Sequence, residues 1–337
     1  MDPFTQTQQS LIKKIQKARQ SKLIVYVVST RRGTGFQIAD DAVRIIYEHL
    51  RNLNIKSGDK LDFFVHSFGG VGTVPWKLVS LFREFSSNFE ILVPYKAYSA
   101  ATLIALGANS IVMHPMAELG PIDPKVGNEF NPHTPHGQLI GINVEDVASY
   151  INFVKEFVGI KHEDELIQAL NSLTDKVHPL ALGNVHRFYS QSRMMAGKLL
   201  RLHMEKTEDH IIEEITDTLT SKLFFHGHPI NREEAQAMHL KIIKPNQEVE
   251  ELMWSLYESF EDELEMNLAY DPQQILNNLG LGEKEILLRG ACIQSVNAKH
   301  LFETKTKIMR PPLVEVTIHM ALKGAKYVDE VKVQSPF

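Results

Sequence analysis

The chain is poor in cysteine. Its 337 residues include a single one, Cys292. One thiol excludes an intramolecular disulfide and a zinc site built from several cysteines. It is typical of a reducing compartment, so we expect a cytoplasmic protein without a metal site.

Long hydrophobic runs and a strong charge of either sign are also missing. The apolar run at residues 23–28 is far too short to cross a bilayer, and the first residues carry no apolar signal core. A formal net charge of −5 and a pI near 6.3 predict no general attraction to nucleic acid or anionic lipid. We therefore expect neither a membrane anchor nor a nucleic-acid partner.

The sequence contains no Gly-x-Gly-x-x-Gly fingerprint, so it does not predict a dinucleotide site, and we expect no cofactor. What it does contain is enough apolar sequence for a substantial core, with 43% hydrophobic and 23% charged residues.

Short apolar runs alternate with helical patterns up to about residue 125. The runs lack polar alternation, which is typical of strands that are buried on both faces of a parallel sheet. They cover residues 23–28, 61–65, 89–93 and 110–113. This alternation predicts an α/β fold with crossover helices between parallel strands.

The later part of the chain has a different character. Residues 127–141 indicate an exposed loop, and the helical patterns that follow predict a helical extension. Its longest helix, predicted over residues 180–204, favours a homo-oligomer. We divide the chain into an N-terminal amphipathic helix at 1–20, a main domain at 21–245, and a small C-terminal α+β segment of unknown role at 246–337.

Two short segments could support acyl-transfer chemistry. Ser99 stands at the start of an apolar helix, where backbone amides and the helix dipole point toward it. The glycine pair Gly69-Gly70 follows a buried strand, where free backbone amides can bind a carbonyl oxygen. Each segment also has an ordinary structural interpretation, as a helix-capping serine and as a turn.

Longer segments around these residues resemble the serine dehydrogenase proteinase family, within the Clp-protease and signal-peptide-peptidase-A superfamily of serine peptidases. The segments that carry the resemblance are Asp62-Phe63-Phe64-Val65-His66-Ser67-Phe68-Gly69-Gly70, Val93-Pro94-Tyr95-Lys96-Ala97-Tyr98-Ser99-Ala100-Ala101-Thr102, Glu118-Leu119-Gly120-Pro121-Ile122-Asp123-Pro124, His178-Pro179-Leu180-Ala181-Leu182-Gly183-Asn184-Val185-His186-Arg187 and His226-Gly227-His228-Pro229-Ile230. The resemblance spans about residues 20 to 245. It implies a Clp/crotonase-like fold and a serine endopeptidase that acts on a peptide or protein substrate.

Carried over to this chain, the resemblance makes Ser99 the nucleophile and assigns the oxyanion hole to Gly69, Gly70 and the amide of Ala100. Clp-type members use a histidine on the strand after the serine helix, but that position falls near Asp123 here. We expect His226 to be the base, with Asp123 as the orienting carboxylate, because neutral imidazole needs little pKa adjustment near pH 7.

Alternatives to this assignment remain. Lys155 and Lys125 compete with His226, since signal-peptide-peptidase-like members use a serine and lysine dyad, although a lysine base must be desolvated. The chain could also be an inactive Clp-fold scaffold, or a crotonase-type acyl-CoA enzyme that uses the same backbone amides. An unidentified regulatory partner is compatible with each of these interpretations.

Overall fold

The computed structural model describes residues 3–123, 125–223, 227–278, 283–309, 316–319 and 330–333. Its helices are α1 (Pro3–Arg19), α2 (Asp41–Asn52), α3 (Val74–Phe85), α4 (Ala100–Leu106), α5 (Val144–Asn152), α6 (Glu163–Thr174), α7 (Pro179–Leu200), α8 (Asp209–Asp217), α9 (Arg232–Ala237), α10 (Gln247–Glu263) and α11 (Pro272–Asn278). Its strands are β1 (Ser21–Val28), β2 (Lys60–His66), β3 (Asn88–Val93), β4 (Lys96–Ala97), β5 (Ser110–Met113), β6 (Glu118–Leu119), β7 (Lys125–Val126), β8 (Ile142–Asn143), β9 (Ile242–Ile243), β10 (Glu283–Gln294), β11 (Lys299–Met309), β12 (Val316–His319) and β13 (Glu330–Val333).

Within the described residues, the central sheet has seven strands in the order β11-β10-β1-β2-β3-β5-β9. The five strands from β1 to β9 run parallel, and β10 joins β1 in the antiparallel sense. The predicted α/β fold, with a mostly parallel sheet and a helical extension, is thereby confirmed.

Both faces of the sheet are covered, which explains why its strands lack polar alternation. Along β1, Ile24, Tyr26 and Val28 belong to one apolar core, whereas Leu23, Val25 and Val27 belong to a second. The first core includes residues of α2, α3, α4 and α7. The second is closed by α1 and α10, so the amphipathic N-terminal helix lies against the sheet.

Several strands were not predicted, and the longest of them are β10 and β11. Residues 283–309 form β10 and β11, which extend the sheet beyond β1. In the helical extension, α5 ends at Asn152 and continues as a π-helical turn, Phe153–Phe157.

The chain separates into two compact units. The first contains residues 1–269 and 289–303, and the second contains residues 270–288 and 304–337. The second unit includes α11 and the antiparallel pair of β12 and β13. The functional boundary at residue 245 remains a prediction, although α10 lies beyond it and packs on α1 within the first unit.

Candidate active site

The candidate site is formed where the segment after β2 lies beside the segment before α4. The Ser67 amide donates to the Lys96 carbonyl at 2.9 Å, and the Tyr98 amide donates to the Ser67 carbonyl at 3.0 Å. These two bonds bring the glycine pair and the serine of the sequence analysis together.

Gly69 lies directly against Ser99. A Cβ atom at Gly69 would be 2.7 Å from the Ser99 Cβ and 2.9 Å from the Tyr98 carbonyl oxygen. Its φ of +111° is also one that side-chain-bearing residues rarely adopt. Position 69 therefore requires glycine for two reasons, close approach and backbone conformation.

Two backbone amides at this site have no partner among the described residues, namely those of Gly70 and Ala100. The Gly69 carbonyl accepts from the Ile38 amide at 2.8 Å. Because the peptide is planar and trans, the Gly70 N–H must point to the side opposite that carbonyl. The Ala100 amide is at the first position of α4, where helix geometry leaves it free. Such a pair of free amides can bind an oxyanion.

Ser99 occupies the capping position of α4, but its side chain makes no capping hydrogen bond. Its backbone has φ 53° and ψ −111°, a conformation that costs energy for a residue with a side chain. Strained residues of this kind cluster at active sites. The geometry thus does not support the interpretation of Ser99 as an ordinary helix cap.

The turn that carries Ser99 is anchored on its other side by Thr102. The buried Thr102 hydroxyl lies 2.8 Å from the carbonyl oxygens of both Ala97 and Gly120, and it accepts from the Gly120 amide at 3.2 Å. The neighbouring Tyr98 hydroxyl donates to Glu118. Burial, together with this carboxylate, raises the pKa of Tyr98 above its usual value.

His66, at the end of β2, is a buried histidine in the segment that leads to the glycine pair. Its Nδ1 accepts from the Lys96 amide at 3.2 Å, so its Nε2 carries the proton, 3.1 Å from the Thr30 hydroxyl. Burial, with a smaller effect from the Lys96 charge, lowers the pKa of His66 to about 3. His66 is therefore neutral near pH 7 and supports the loop before Ser99.

The general base is not identified among the described residues, where the Ser99 hydroxyl has no hydrogen-bond partner. His226 lies outside the described residues, as does the side chain of Lys125. Lys155 is exposed on the π-helical turn, without the desolvation that a lysine base requires. Asp123 is only 3% exposed.

The segment that leads to Asp123 contacts the chain on both sides of His226. The Ile122 amide donates to the Leu219 carbonyl at 2.9 Å, and Leu119 and Ile230 exchange two backbone hydrogen bonds of 2.9 Å. Leu219 precedes His226 and Ile230 follows it. The stretch before Asp123 is thus hydrogen-bonded to Leu219 and Ile230, the described residues on either side of His226 in the sequence.

Sequence reasoning missed Ser67, Thr102 and Ile38, whose hydrogen bonds hold the glycine pair and the serine turn. Ser67 could have been noticed, because a serine two residues before a glycine often accepts a hydrogen bond from the backbone in a turn. No pattern in the sequence indicates Ile38, which acts through its backbone.

The described residues thus form an α/β fold with a mostly parallel sheet, and its candidate site places a strained serine beside a glycine pair. Residues 3–135 match the family of ClpP-like SDH-type serine proteinases, which confirms the resemblance seen in the sequence. The matched stretch includes Gly69, Gly70, Ser99 and Asp123 and ends before Lys155 and His226.

Two relatives from Methanocaldococcus jannaschii are similar in sequence. The uncharacterized protein MJ0137 is 26% identical over 58% of this chain and 58% of its own length. The uncharacterized protein MJ1495 is 31% identical over 24% of this chain and 28% of its own length. The chain thus matches less than two thirds of the length of either relative.

Solved structures of proteases are similar to this chain at low identity. A serine-to-alanine mutant of the 1510-N membrane-bound stomatin-specific protease has 16% identity and a TM-score of 0.37, over 68% of this chain and 84% of its own. ClpP1 from Listeria monocytogenes has 15% identity and a TM-score of 0.36, over 72% of this chain and 98% of its own.

No helix in the described part of the chain has both the length and the apolar content needed to span a bilayer.

Proposed function

We propose that this protein is a serine endopeptidase that cleaves peptide bonds through an acyl-enzyme on Ser99. The observation that carries the proposal is the position of Gly69 against Ser99, with unpartnered amides at Gly70 and Ala100 beside them. A nucleophile next to two free donors is the arrangement that acyl transfer requires. The family match over residues 3–135 supports the same reaction class.

In the proposed reaction, the Ser99 hydroxyl attacks the carbonyl carbon of the peptide bond and His226 takes its proton. The Gly70 and Ala100 amides, beside Gly69, donate to the oxygen that gains negative charge. The C–N bond then breaks, the leaving amine receives the proton from His226, and water hydrolyses the acyl-enzyme ester. Asp123 orients the imidazole and stabilises its charged form.

The hydrogen bonds from residues 119 and 122 to residues 230 and 219 support the pairing of Asp123 with His226. Exposure of Lys155 argues against it as the base, because a lysine base requires a desolvated setting. Lys125 remains a competitor.

A fluorophosphonate probe tests the nucleophile. We expect it to label the wild-type protein on Ser99 and to leave Ser99→Ala unlabelled, with both proteins checked for folding by circular dichroism. A folded wild-type protein that is not labelled would favour the alternative of an inactive scaffold. The observation behind that alternative is that the Ser99 hydroxyl has no base as a hydrogen-bond partner among the described residues.

The base is tested with His226→Ala, Lys125→Ala and Lys155→Ala. We expect peptidase activity to fall only in His226→Ala, by at least about 100-fold, which is typical of lost general-base catalysis. Full activity of His226→Ala would refute this assignment.

We further propose that the protein is cytoplasmic and forms a homo-oligomer through its helical extension. The π-helical turn after α5 carries two stacked and exposed rings, Phe153 at 52% and Phe157 at 84% exposure. Exposed apolar groups of this size often mark protein contacts. A monomeric mass in solution would contradict the oligomer.

A further inference from the structure

The hydroxyl of Ser67 is fully buried and bonds to a single neighbour, Gly69. Its Oγ accepts from the Gly69 amide at 2.9 Å and donates to the Gly69 carbonyl at 3.2 Å. The backbone of Ser67 is already bonded to Lys96 and Tyr98. The two hydroxyl bonds are thus additional to the backbone bonds that join the segment of Ser67 to the segment before α4.

The Gly69 carbonyl belongs to the same rigid peptide unit as the Gly70 amide. Holding the carbonyl therefore sets the direction of the Gly70 N–H. Two donors hold it, the Ser67 hydroxyl at 3.2 Å and the Ile38 amide at 2.8 Å. Between two glycines, whose φ and ψ are weakly restricted, this peptide could otherwise rotate.

We infer that Ser67 is a positioning residue for the oxyanion hole. It does not touch the substrate; it fixes the Gly69-Gly70 peptide so that the Gly70 amide faces the carbonyl attacked by Ser99. The inference rests on the proposed peptidase function.

Loss of the hydroxyl has a defined consequence. In Ser67→Ala the buried Gly69 amide loses its acceptor, and burial prevents water from replacing it. The Gly69 carbonyl also loses one of its two donors, so the peptide between the two glycines is held by the Ile38 amide alone and can rotate. Rotation would turn the Gly70 amide away from the oxyanion, and loss of one such donor typically slows acyl transfer about 100-fold to 1000-fold.

The chain offers a matched control at Ser86. This serine is also buried, its Oγ accepts from the amide two residues later, Asn88, at 3.1 Å, and it donates to the Asp59 carbonyl at 2.7 Å. It lies at the end of α3, at the opposite end of β2 and β3 from the glycine pair. Ser86→Ala thus removes an equivalent hydroxyl without touching the site.

The experiment compares the second-order rate constant for fluorophosphonate labelling of Ser99 in the wild type, Ser67→Ala and Ser86→Ala. We expect a decrease of at least 10-fold in Ser67→Ala and less than 2-fold in Ser86→Ala, with melting temperatures of the two variants alike. Wild-type labelling of Ser67→Ala, or an equal loss in both variants, would overturn the inference while leaving the peptidase function intact.

Crystal structures of the two variants provide a readout that needs no activity. The bond from the Ile38 amide to the Gly69 carbonyl should be lost in Ser67→Ala and retained in Ser86→Ala. An unmoved peptide in Ser67→Ala overturns the inference. If the wild type is not labelled at all, the peptidase proposal fails, and the structures still decide whether Ser67 orients the peptide.

Discussion

Ser99 combines a reactive side-chain type with an unfavourable backbone. Its φ of 53° with ψ of −111° costs on the order of 1–3 kcal/mol for a residue with a Cβ. The surrounding hydrogen bonds from Ser67 and Thr102 keep the turn in this state. The Ser99 Cβ lies against Gly69, and the side chain makes no capping hydrogen bond to the helix amides.

This strain predicts that Ser99→Gly is more stable than Ser99→Ala. Both variants lack the hydroxyl, so the comparison isolates the backbone. Glycine removes the strain but loses about 0.5–1 kcal/mol of chain entropy, which leaves a gain of about 1 kcal/mol. Urea unfolding of the two variants measures the difference. A Ser99→Gly protein that is no more stable than Ser99→Ala would show that the turn is not strained.

At the scale of residues, the sequence was sufficient to predict that Ser99 and the glycine pair belong to one candidate site. The structure confirms that these two segments meet, but their catalytic roles remain predictions. The supporting roles of Ser67 and Ile38 could not be derived, because each depends on a hydrogen bond whose direction only the folded backbone defines. The assignment of His226 stays a prediction.

At the scale of elements, the parallel strands were easier to predict than the antiparallel pair β10 and β11. Strands β1, β2, β3 and β5 are largely buried on both faces and consist mostly of apolar residues. The first residues of β10 are instead exposed, and β11 is mostly polar and only partly buried, so neither strand forms an apolar run. Residues 295–298 form the turn between the two strands, which is closed by a hydrogen bond from the Ser295 amide to the Ala298 carbonyl. This short stretch, with its serine and asparagine, was the one sequence feature that could have indicated a hairpin.

Strand β10 also supports the loop that reaches the candidate site. Gly290 lies under the ring of Phe36, and its carbonyl accepts from the Ser29 amide at 2.8 Å. Phe36 is two residues before Ile38, whose amide holds the Gly69 carbonyl. Strand β10 and the Gly69-Gly70 peptide are therefore connected through one short loop.

We predict that Gly290→Ala destabilises the protein by about 1–3 kcal/mol, the usual cost of overpacking. A Cβ at this position would lie 2.4 Å from a Phe36 ring carbon, so the ring must move. Gly35→Ala is the control, since no atom lies within 4 Å of a Cβ there. Thermal or urea unfolding measures both. Equal stability of the two variants would indicate that the Phe36 ring is free to shift.

At the scale of the molecule, the α/β architecture could be predicted from the apolar runs and their spacing. A core on both faces of the sheet requires apolar residues at successive positions of the central strands, and this pattern is visible in the sequence. The division at residue 245 had a weaker basis, a single proline and a change of pattern. Apolar residues of α10, such as Met253 and Phe260, complete the core on the α1 face. Burial on that face comes from residues far apart in sequence, which no local pattern reveals.

Stability in acid is a property of the whole chain to which buried histidines contribute. Burial lowers the pKa of His66 to about 3. Burial, with a smaller effect from His300, lowers that of His49 to about 4. In the unfolded chain, a histidine titrates near 6.5. Below about pH 6.5 the unfolded state therefore binds protons that the folded state does not, and stability must fall as the pH falls.

We predict that His66 accounts for about 1 kcal/mol of lost unfolding free energy per pH unit between pH 6 and pH 5, a window that lies below its unfolded pKa and above its folded one. His66→Gln removes this titration and retains an acceptor for the Lys96 amide and a donor for Thr30. Urea unfolding at pH 7, 6 and 5 should thus give the variant a smaller decrease than the wild type toward acid, even if it is less stable at pH 7. Parallel pH profiles for the two proteins would mean that His66 titrates alike in the folded and unfolded states, contrary to its complete burial.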